Sequence, residues 1–467
     1  MEQQQEESKN QIQTERKLTA FGAWSLAFGG IIGFGAFVMP ATTFLKRAGL
    51  LGSLIGIEIG ALIMLIISYG YGYMAKKVPI SGGQFIYAER AFGKTHGFIC
   101  AWFLGLCYIS IIPMDATALC IVLRALYGNI FQFGFHYTIA GYDVYLGELL
   151  VAIAVLIIFA FIASKKVHIA AIIQTIMVIV MLSGVLMILG GAFLSPDAKI
   201  SNFHPLFYPD RRGAWAQIIS IVVIVPWLFV GFDIIPQLSE ETNFSNNRVK
   251  TIMDTSIVAG CFVYIVMSLI AVSVIPEIYP DWVAYVDVNH RLDTAGGYNS
   301  ITTIYASYKI LGAVGLSLMG LAAACAVLTG VLCFYIASSR LLHSMAREGM
   351  ISPWFGVLNK NGVPRNAVLF CMIVSILTVL LGRHVISWTV DMASIGGAIG
   401  YGYTSLAAYK FSRLEDRKDV AIFGMLGFVL SVIFAVLLLV PIPGLDSSLS
   451  LPSYFMLIAW IVIGLWD

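Results

Sequence analysis

The sequence predicts an all-α integral membrane protein with twelve transmembrane helices, on three observations. Of its 467 residues, 59% are hydrophobic and only 12% are charged, about half the charged share of an average soluble domain. The apolar residues fall into segments near the length, about 20 residues, that crosses a bilayer as a helix. Two of these segments are interrupted by Gly and Pro, which a bundle tolerates where the freed backbone lines a cavity. So little polar surface excludes a water-facing fold, and with it a soluble enzyme, a nucleic-acid binder and a disordered protein.

Residues 1–17 (MEQQQEESKNQIQTERK) form a polar tail without an apolar core or cleavage site, so a secretory signal is not expected there. Apolar spans follow at about 19–46, 50–75, 93–127, 146–164, 167–194, 214–240, 251–276, 303–346, 366–382, 385–410, 420–441 and 451–466. The ninth and tenth are separated only by Gly382, Arg383 and His384. The longest outer loops, about 195–213 and 277–302, hold Pro, Asp, Asn and Gly and are too short to be domains. With the amino terminus inside, 19 of the 28 Lys and Arg fall on the inner side and 9 on the outer. The bias toward positive charge inside places both termini in the cytoplasm of a cell whose inner membrane holds the chain. The seven Cys lie singly in apolar runs, and no metal or cofactor motif is present. No phosphate-binding loop, nucleophile elbow or zinc motif occurs either, so an enzyme is not expected and a gradient must supply any energy for transport.

The first interruption reads Gly29-Gly-Ile-Ile-Gly-Phe-Gly-Ala-Phe-Val-Met-Pro40, and the second Pro226-Trp-Leu-Phe-Val-Gly231-Phe-Asp-Ile-Ile-Pro236. In a helix interior Gly costs about 1 kcal/mol and Pro about 3. The two lie five spans apart and share a local pattern, Ile-Ile-Gly-Phe and Phe-Val-Gly-Phe. Matched interruptions in two halves of a membrane chain point to a transporter binding site. An unwound turn offers N–H groups to a carboxylate at one half-helix end and carbonyls to an ammonium or metal cation at the other.

Three stretches resemble the amino acid–polyamine–organocation permeases, and the resemblance runs from about Leu18 to the end. They are Gly30 to Pro40; Pro79-Ile-Ser-Gly-Gly-Gln-Phe-Ile-Tyr87 with Ala91-Phe-Gly93; and Ala337-Ser-Ser-Arg340 through Met345-Ala-Arg-Glu-Gly349 to Gly362-Val-Pro364. The resemblance implies a leucine-transporter-like fold of two inverted five-helix repeats, at 18–200 and 201–412, with two extra helices at 413–467. It implies a solute held between the broken first and sixth helices and released by alternating access. Carried over by motif, N–H groups at Gly33, Phe34 and Gly35 would hold a carboxylate. Carbonyls at Ile31, Trp227 and Val230, beside Gly231, would hold an ammonium, and the Trp227 ring would pack on the solute. Ile109 and Ile112 of the third span and Phe334 of the eighth would line the distal pocket. Phe34 stands where many members carry a small or hydroxylated residue. A helix-5 lysine that replaces sodium in some members maps onto Ile172, with His168 one turn earlier.

Ionisable residues at membrane depth are functional candidates. Asp233 follows the second interruption and is a candidate for binding a cation, carrying a proton or capping backbone. Asp115 is a candidate for a cationic solute group or for pairing with Arg124. His168 is a candidate proton relay, while Glu58 and Asp391 fit the span ends. The expected function is secondary active transport of amino acids, favouring neutral ones because Ile109, Ile112 and Phe334 are apolar. A coupling proton or sodium ion and the lipid bilayer are the expected partners, without nucleic acid. An amine or polyamine permease, with Asp115 and Asp233 as a cation cage, is the alternative. An amino-acid-sensing receptor comes third.

Overall fold

The computed structural model describes residues 18–139, 142–210, 212–295, 297–445 and 447–465; the polar tail 1–17 lies outside them. Helices dominate. Helix α1 spans Ala20–Ile32 and α2 Gly35–Met39, continued by a wider π-helical turn Pro40–Phe44. Then come α3 Leu45–Lys77, α4 Gln84–Phe92 and α5 Lys94–Tyr127, the last carrying Pro113 inside. Strands β1 His136–Ile139 and β2 Tyr142–Tyr145 precede α6 Leu146–Ala163 and α7 Val167–Leu194. The sixth span is α8 Ala214–Val222, α9 Val225–Leu228 and a 3-10 segment Phe232–Leu238. The rest are α10 Val249–Ser273, α11 Trp282–Ala295, α12 Thr302–Arg347, α13 Arg365–Val379, α14 His384–Leu414, α15 Lys418–Leu439 and α16 Leu451–Gly464.

Among the described residues, seven helical stretches are long and apolar enough to cross a membrane. The first, Ala20–Lys77, holds two of the predicted spans, and α13 and α16 are shorter apolar helices. The fold is therefore that of a helical, multi-pass membrane protein.

Two loops differ from expectation. The connection after α5 folds as an antiparallel hairpin pairing His136 with Tyr145 and Thr138 with Asp143, so the chain is not wholly α. The 277–302 loop contains α11, held by the buried Trp282, whose indole N–H donates to the Pro205 carbonyl at 2.9 Å. At 14 residues, with Asp287, Asn289, His290, Arg291 and Asp293 among them, α11 does not read as a span; Trp282 and Val286 join one buried cluster and Tyr285 the main core.

Packing sets the first and sixth spans at the centre. Helix α1 is packed by α7, α10 and α12, and α12 in turn by α5 and α7. Small residues allow close approach between membrane helices. A Cβ built on Gly56 of α3 would lie 2.7 Å from Ile221, and one on Gly60 would lie 2.2 Å from Val225. Thus α3 presses against the interrupted sixth span with no side chain between them.

At the far end of α5, Arg124 forks onto Glu148 of α6, its Nη2 lying 2.6 and 2.7 Å from the two carboxylate oxygens. The pairing of Arg124 with Asp115 considered from sequence is not formed. Breaking a buried ion pair strands a charge at a cost of about 3 kcal/mol or more. Arg124→Gln should accordingly lower the thermal unfolding temperature in detergent, and Arg124→Gln with Glu148→Gln should recover part of it. Equal melting of single variant and parent would contradict this role.

Candidate functional site

Helix α1 stops at Gly33, whose φ of 41° and ψ of −151° leave the helical region. The sixth span stops at Gly231, with φ 132° and ψ −40°. Positive φ of this kind favours glycine, which has no Cβ to clash. The two interruptions meet backbone to backbone: a Cβ on Gly231 would lie 2.6 Å from the Ile31 nitrogen and 2.7 Å from the Gly30 carbonyl carbon. A Cβ on Gly30 would in turn lie 2.9 Å from Cys333 Sγ.

Beside this contact is a small cavity of about 10 Å³, near the smallest space that admits one water molecule. Its walls include Ile31, Gly33, Phe34, Gly35, Trp227, Val230 and Phe334 among the residues expected from sequence. Gly231 stands behind the wall, against α1. Ile109 and Ile112 are buried but do not line it; Ile111, Met114 and Asp115 do. The carried-over register on α5 was therefore off. Each residue turns a helix by about 100°, so a small misalignment changes the face.

Asp115 is 1% exposed and reaches into the first interruption. Its Oδ1 accepts the Phe34 N–H at 3.3 Å. Its Oδ2 would lie 1.9 Å from a Cβ on Gly330 of α12 and has no hydrogen-bond partner. The cradle expected for a solute carboxylate thus already holds one that belongs to the chain.

The opposite pole is also filled internally. The Tyr264 hydroxyl of α10 donates to the Ile31 carbonyl at 2.8 Å, with the Leu228 carbonyl 3.2 Å away. Those carbonyls belong to the two breaks. Sequence reasoning missed Tyr264: one tyrosine in an apolar span looks like packing, and only its partners distinguish it. The rings of Phe34 and Trp227 lie 5.7 Å apart, and both line the cavity.

Asp233 is fully buried but points away from the cavity. Its Oδ2 accepts from the Tyr108 hydroxyl at 2.5 Å and Gln84 Nε2 at 2.7 Å, and its Oδ1 accepts the Gly231 N–H at 3.0 Å. Gln237 Nε2 donates to Gln84 Oε1 at 2.7 Å, so the network ties α4, α5 and the sixth span together. It meets the capping alternative raised from sequence.

His168 lies elsewhere, in a polar vestibule of about 520 Å³ with Glu240, Glu241, Arg340, His343, Arg347 and Lys360. There Arg340 pairs with Glu241 at 2.9 Å and Arg347 with Glu240 at 3.3 Å, anchoring the segment after the sixth span to α12. Ile172 is 57% exposed on the outside of α7. Gln174 is the α7 residue turned inward, its amide nitrogen 3.2 Å from the Thr329 carbonyl and 3.4 Å from that of Ser25. The Asp391 carboxylate accepts from the Ser453 hydroxyl at 2.6 Å and the Ser450 N–H at 3.1 Å, which anchors the start of α16. Glu58 is exposed on α3. Tyr401 packs against Phe232 and donates to the Pro226 carbonyl at 3.2 Å.

Removing the Tyr264 hydroxyl would leave a buried Ile31 carbonyl without its donor, at about 1–3 kcal/mol. Tyr264→Phe should therefore melt earlier than the parent without added solute; unchanged melting would show that the carbonyl finds another donor.

The amino acid permease family matches residues 18–466. The branched-chain amino acid permease BcaP of Lactococcus lactis subsp. cremoris is 24% identical over 420 residues, covering 87% of this chain and 83% of the relative. The lysine-specific permease LysP of the same organism is 22% identical, covering 88% of this chain and 79% of its own length. The aromatic amino acid transport protein AroP of Salmonella typhimurium is 24% identical, covering 93% and 91%. With two interrupted helices set against each other and a match along nearly its whole length, the chain belongs to the amino acid permease family.

Proposed function

We propose that the chain is a secondary active transporter that carries amino acids, or solutes built on the same ammonium-bearing plan, across the cytoplasmic membrane by alternating access. The observation that carries this reading is the contact of the Gly33 and Gly231 breaks around a buried cavity. Its walls come from both breaks together with α5, α10 and α12, which suits a carrier that holds its solute between two halves better than an open channel. The relatives act in the same sense, since their names specify branched-chain, lysine and aromatic amino acids.

In this reading twelve helices cross the bilayer. Residues 18–200 and 201–412 form two inverted repeats, 413–467 adds two helices, and both termini face the cytoplasm. The excess of Lys and Arg in the loops assigned to that side supports the orientation. The vestibule lined by His168, Arg340 and Glu241 then opens inward. Apolar walls at Ile111, Met114, Val230 and Phe334 favour an uncharged apolar tail on the solute. A long dication would want a second open carboxylate, and Asp233 has its oxygens engaged. That favours a monocationic or zwitterionic head over a polyamine. Transport rather than catalysis follows the family, and a proton or sodium gradient is the proposed energy source.

Trp227 presents its ring to the cavity and the edge of Gly35, where a Cβ would lie 3.0 Å from the indole. A desolvated aromatic–ammonium contact is worth about 1–2 kcal/mol. Trp227→Ala in proteoliposomes should therefore reduce solute uptake about tenfold while the protein remains monodisperse in detergent. Undiminished uptake would remove the two breaks from the transport site.

A further inference from the structure

We infer that the polar vestibule beside α7 is a binding site for a phosphate-bearing anion, held chiefly by Lys166 and Lys360. The vestibule shares no residue with the cavity at the two breaks, so its ligand is distinct from the solute.

The vestibule has positive charge left over. Lys166, Arg340, Arg347 and Lys360 line it against Glu240 and Glu241, so four cations face two carboxylates. Both carboxylates are engaged. Glu241 takes a two-point contact from Arg340, at 2.9 Å from Nε and 3.2 Å from Nη2. Glu240 takes Arg347 at 3.3 Å and the Ser81 N–H at 3.1 Å. Lys166 and Lys360 have no acidic partner among the described residues. Two uncompensated ammonium groups lining one space repel each other, and a dianion between them removes that cost. A phosphate monoester carries a charge of about −1.5 to −2 near neutral pH and offers three acceptor oxygens.

Fixed elements present the two lysines. Lys166 is half-buried at the start of α7, while its neighbour Lys165 lies over the Phe161 ring at 4.0 Å and does not line the vestibule. Lys360 stands in the loop between α12 and α13. Asn359 and Asn361 donate side-chain N–H groups to the Ser164 carbonyl at 2.8 and 3.2 Å, which ties that loop to the turn before α7. The side-chain oxygen of Asn359 accepts the N–H groups of Asn361 and Val363 at 2.8 and 3.1 Å, so the loop around Lys360 is braced from within. A preorganised frame of this kind lowers the ordering cost of binding.

Histidines and space complete the site. His168 and His343 line the same vestibule, and His343 Nδ1 is buried without a hydrogen-bond partner. The volume of about 520 Å³ is more than a single halide ion fills, and lies in the range of pockets for small organic ligands, about 300–1,000 Å³. In the orientation proposed above the vestibule opens inward, where phosphorylated metabolites and lipid headgroups share this chemistry. An anion bridging Lys166 and Lys360 fastens α7 to the α12–α13 loop, beside the Arg340–Glu241 pair.

The experiment measures binding to the purified full-length protein by thermal shift at fixed ionic strength. The free probes are inorganic phosphate and pyrophosphate, with chloride as the control anion. The lipid probe is phosphatidic acid mixed in equal parts with phosphatidylcholine in nanodiscs, against phosphatidylcholine alone. At least one phosphate probe should raise the melting temperature beyond its control. Lys166→Gln and Lys360→Gln should each weaken that probe at least about tenfold. Lys360→Arg should keep it, and Lys165→Gln should change nothing. A response to the free anions assigns the site to a soluble phosphate compound. A response to phosphatidic acid alone assigns it to a lipid headgroup, and either result supports the inference. Where one glutamine variant fails to fold, the other decides. No phosphate response beyond the controls would overturn the inference. So would a response that the glutamine variants keep, or one that Lys165→Gln removes equally.

Discussion

A helix interrupted inside a bilayer exposes backbone groups that water cannot reach, and each such group costs several kcal/mol unless it finds a partner. In this protein side chains supply the partners, and the two interruptions pack against each other. Gly231 lies against the backbone of Gly30 and Ile31 closely enough that any side chain would collide. Tyr264 bridges the carbonyls left open on both sides, while Asp115 and Asp233 accept the N–H groups of Phe34 and Gly231. The surrounding helices are organised by this arrangement. Glycines in α3 bring it against the sixth span, and α10, α12 and α7 pack around α1.

The two acids illustrate how burial alone does not assign a role. Asp233 and Asp115 are equally hidden, yet the first has donors on both oxygens and the second has one oxygen without any. A satisfied carboxylate is a fastening between elements. A positioning network thus runs from Gln237 through Gln84 and Asp233 to Gly231, apart from the cavity wall that holds Asp115 and the aromatic rings. Farther along α12, the ion pairs of Arg340 and Arg347 hold the segment that follows the sixth span.

Much of this was legible in the sequence because the bilayer imposes strong rules. Apolar length marks helices, and Gly with Pro marks where they stop, so the breaks at Gly33 and Gly231 could be read directly. Seven of the ten residues expected at the cavity wall are there. What failed was rotational: α5 offers Ile109, Ile112, Ile111 and Met114 within six residues, and composition does not say which face the cavity. On α7 the mapped Ile172 faces outward while Gln174, two positions on, turns into the core. Tyr264 carried no local signal, since its importance lies in carbonyls more than two hundred residues away in α1. The hairpin and α11 were missed because connections outside the bilayer follow ordinary turn and packing rules that the apolar pattern does not record.

The central claim is that the solute sits between the two breaks. A structure of the protein with a bound solute tests it most directly. The account predicts the solute beside Gly33 and Gly231, with its ammonium within about 6 Å of the Trp227 ring. A solute held instead in the polar vestibule beside Arg340 and His343, with the breaks still closed on each other, would contradict it.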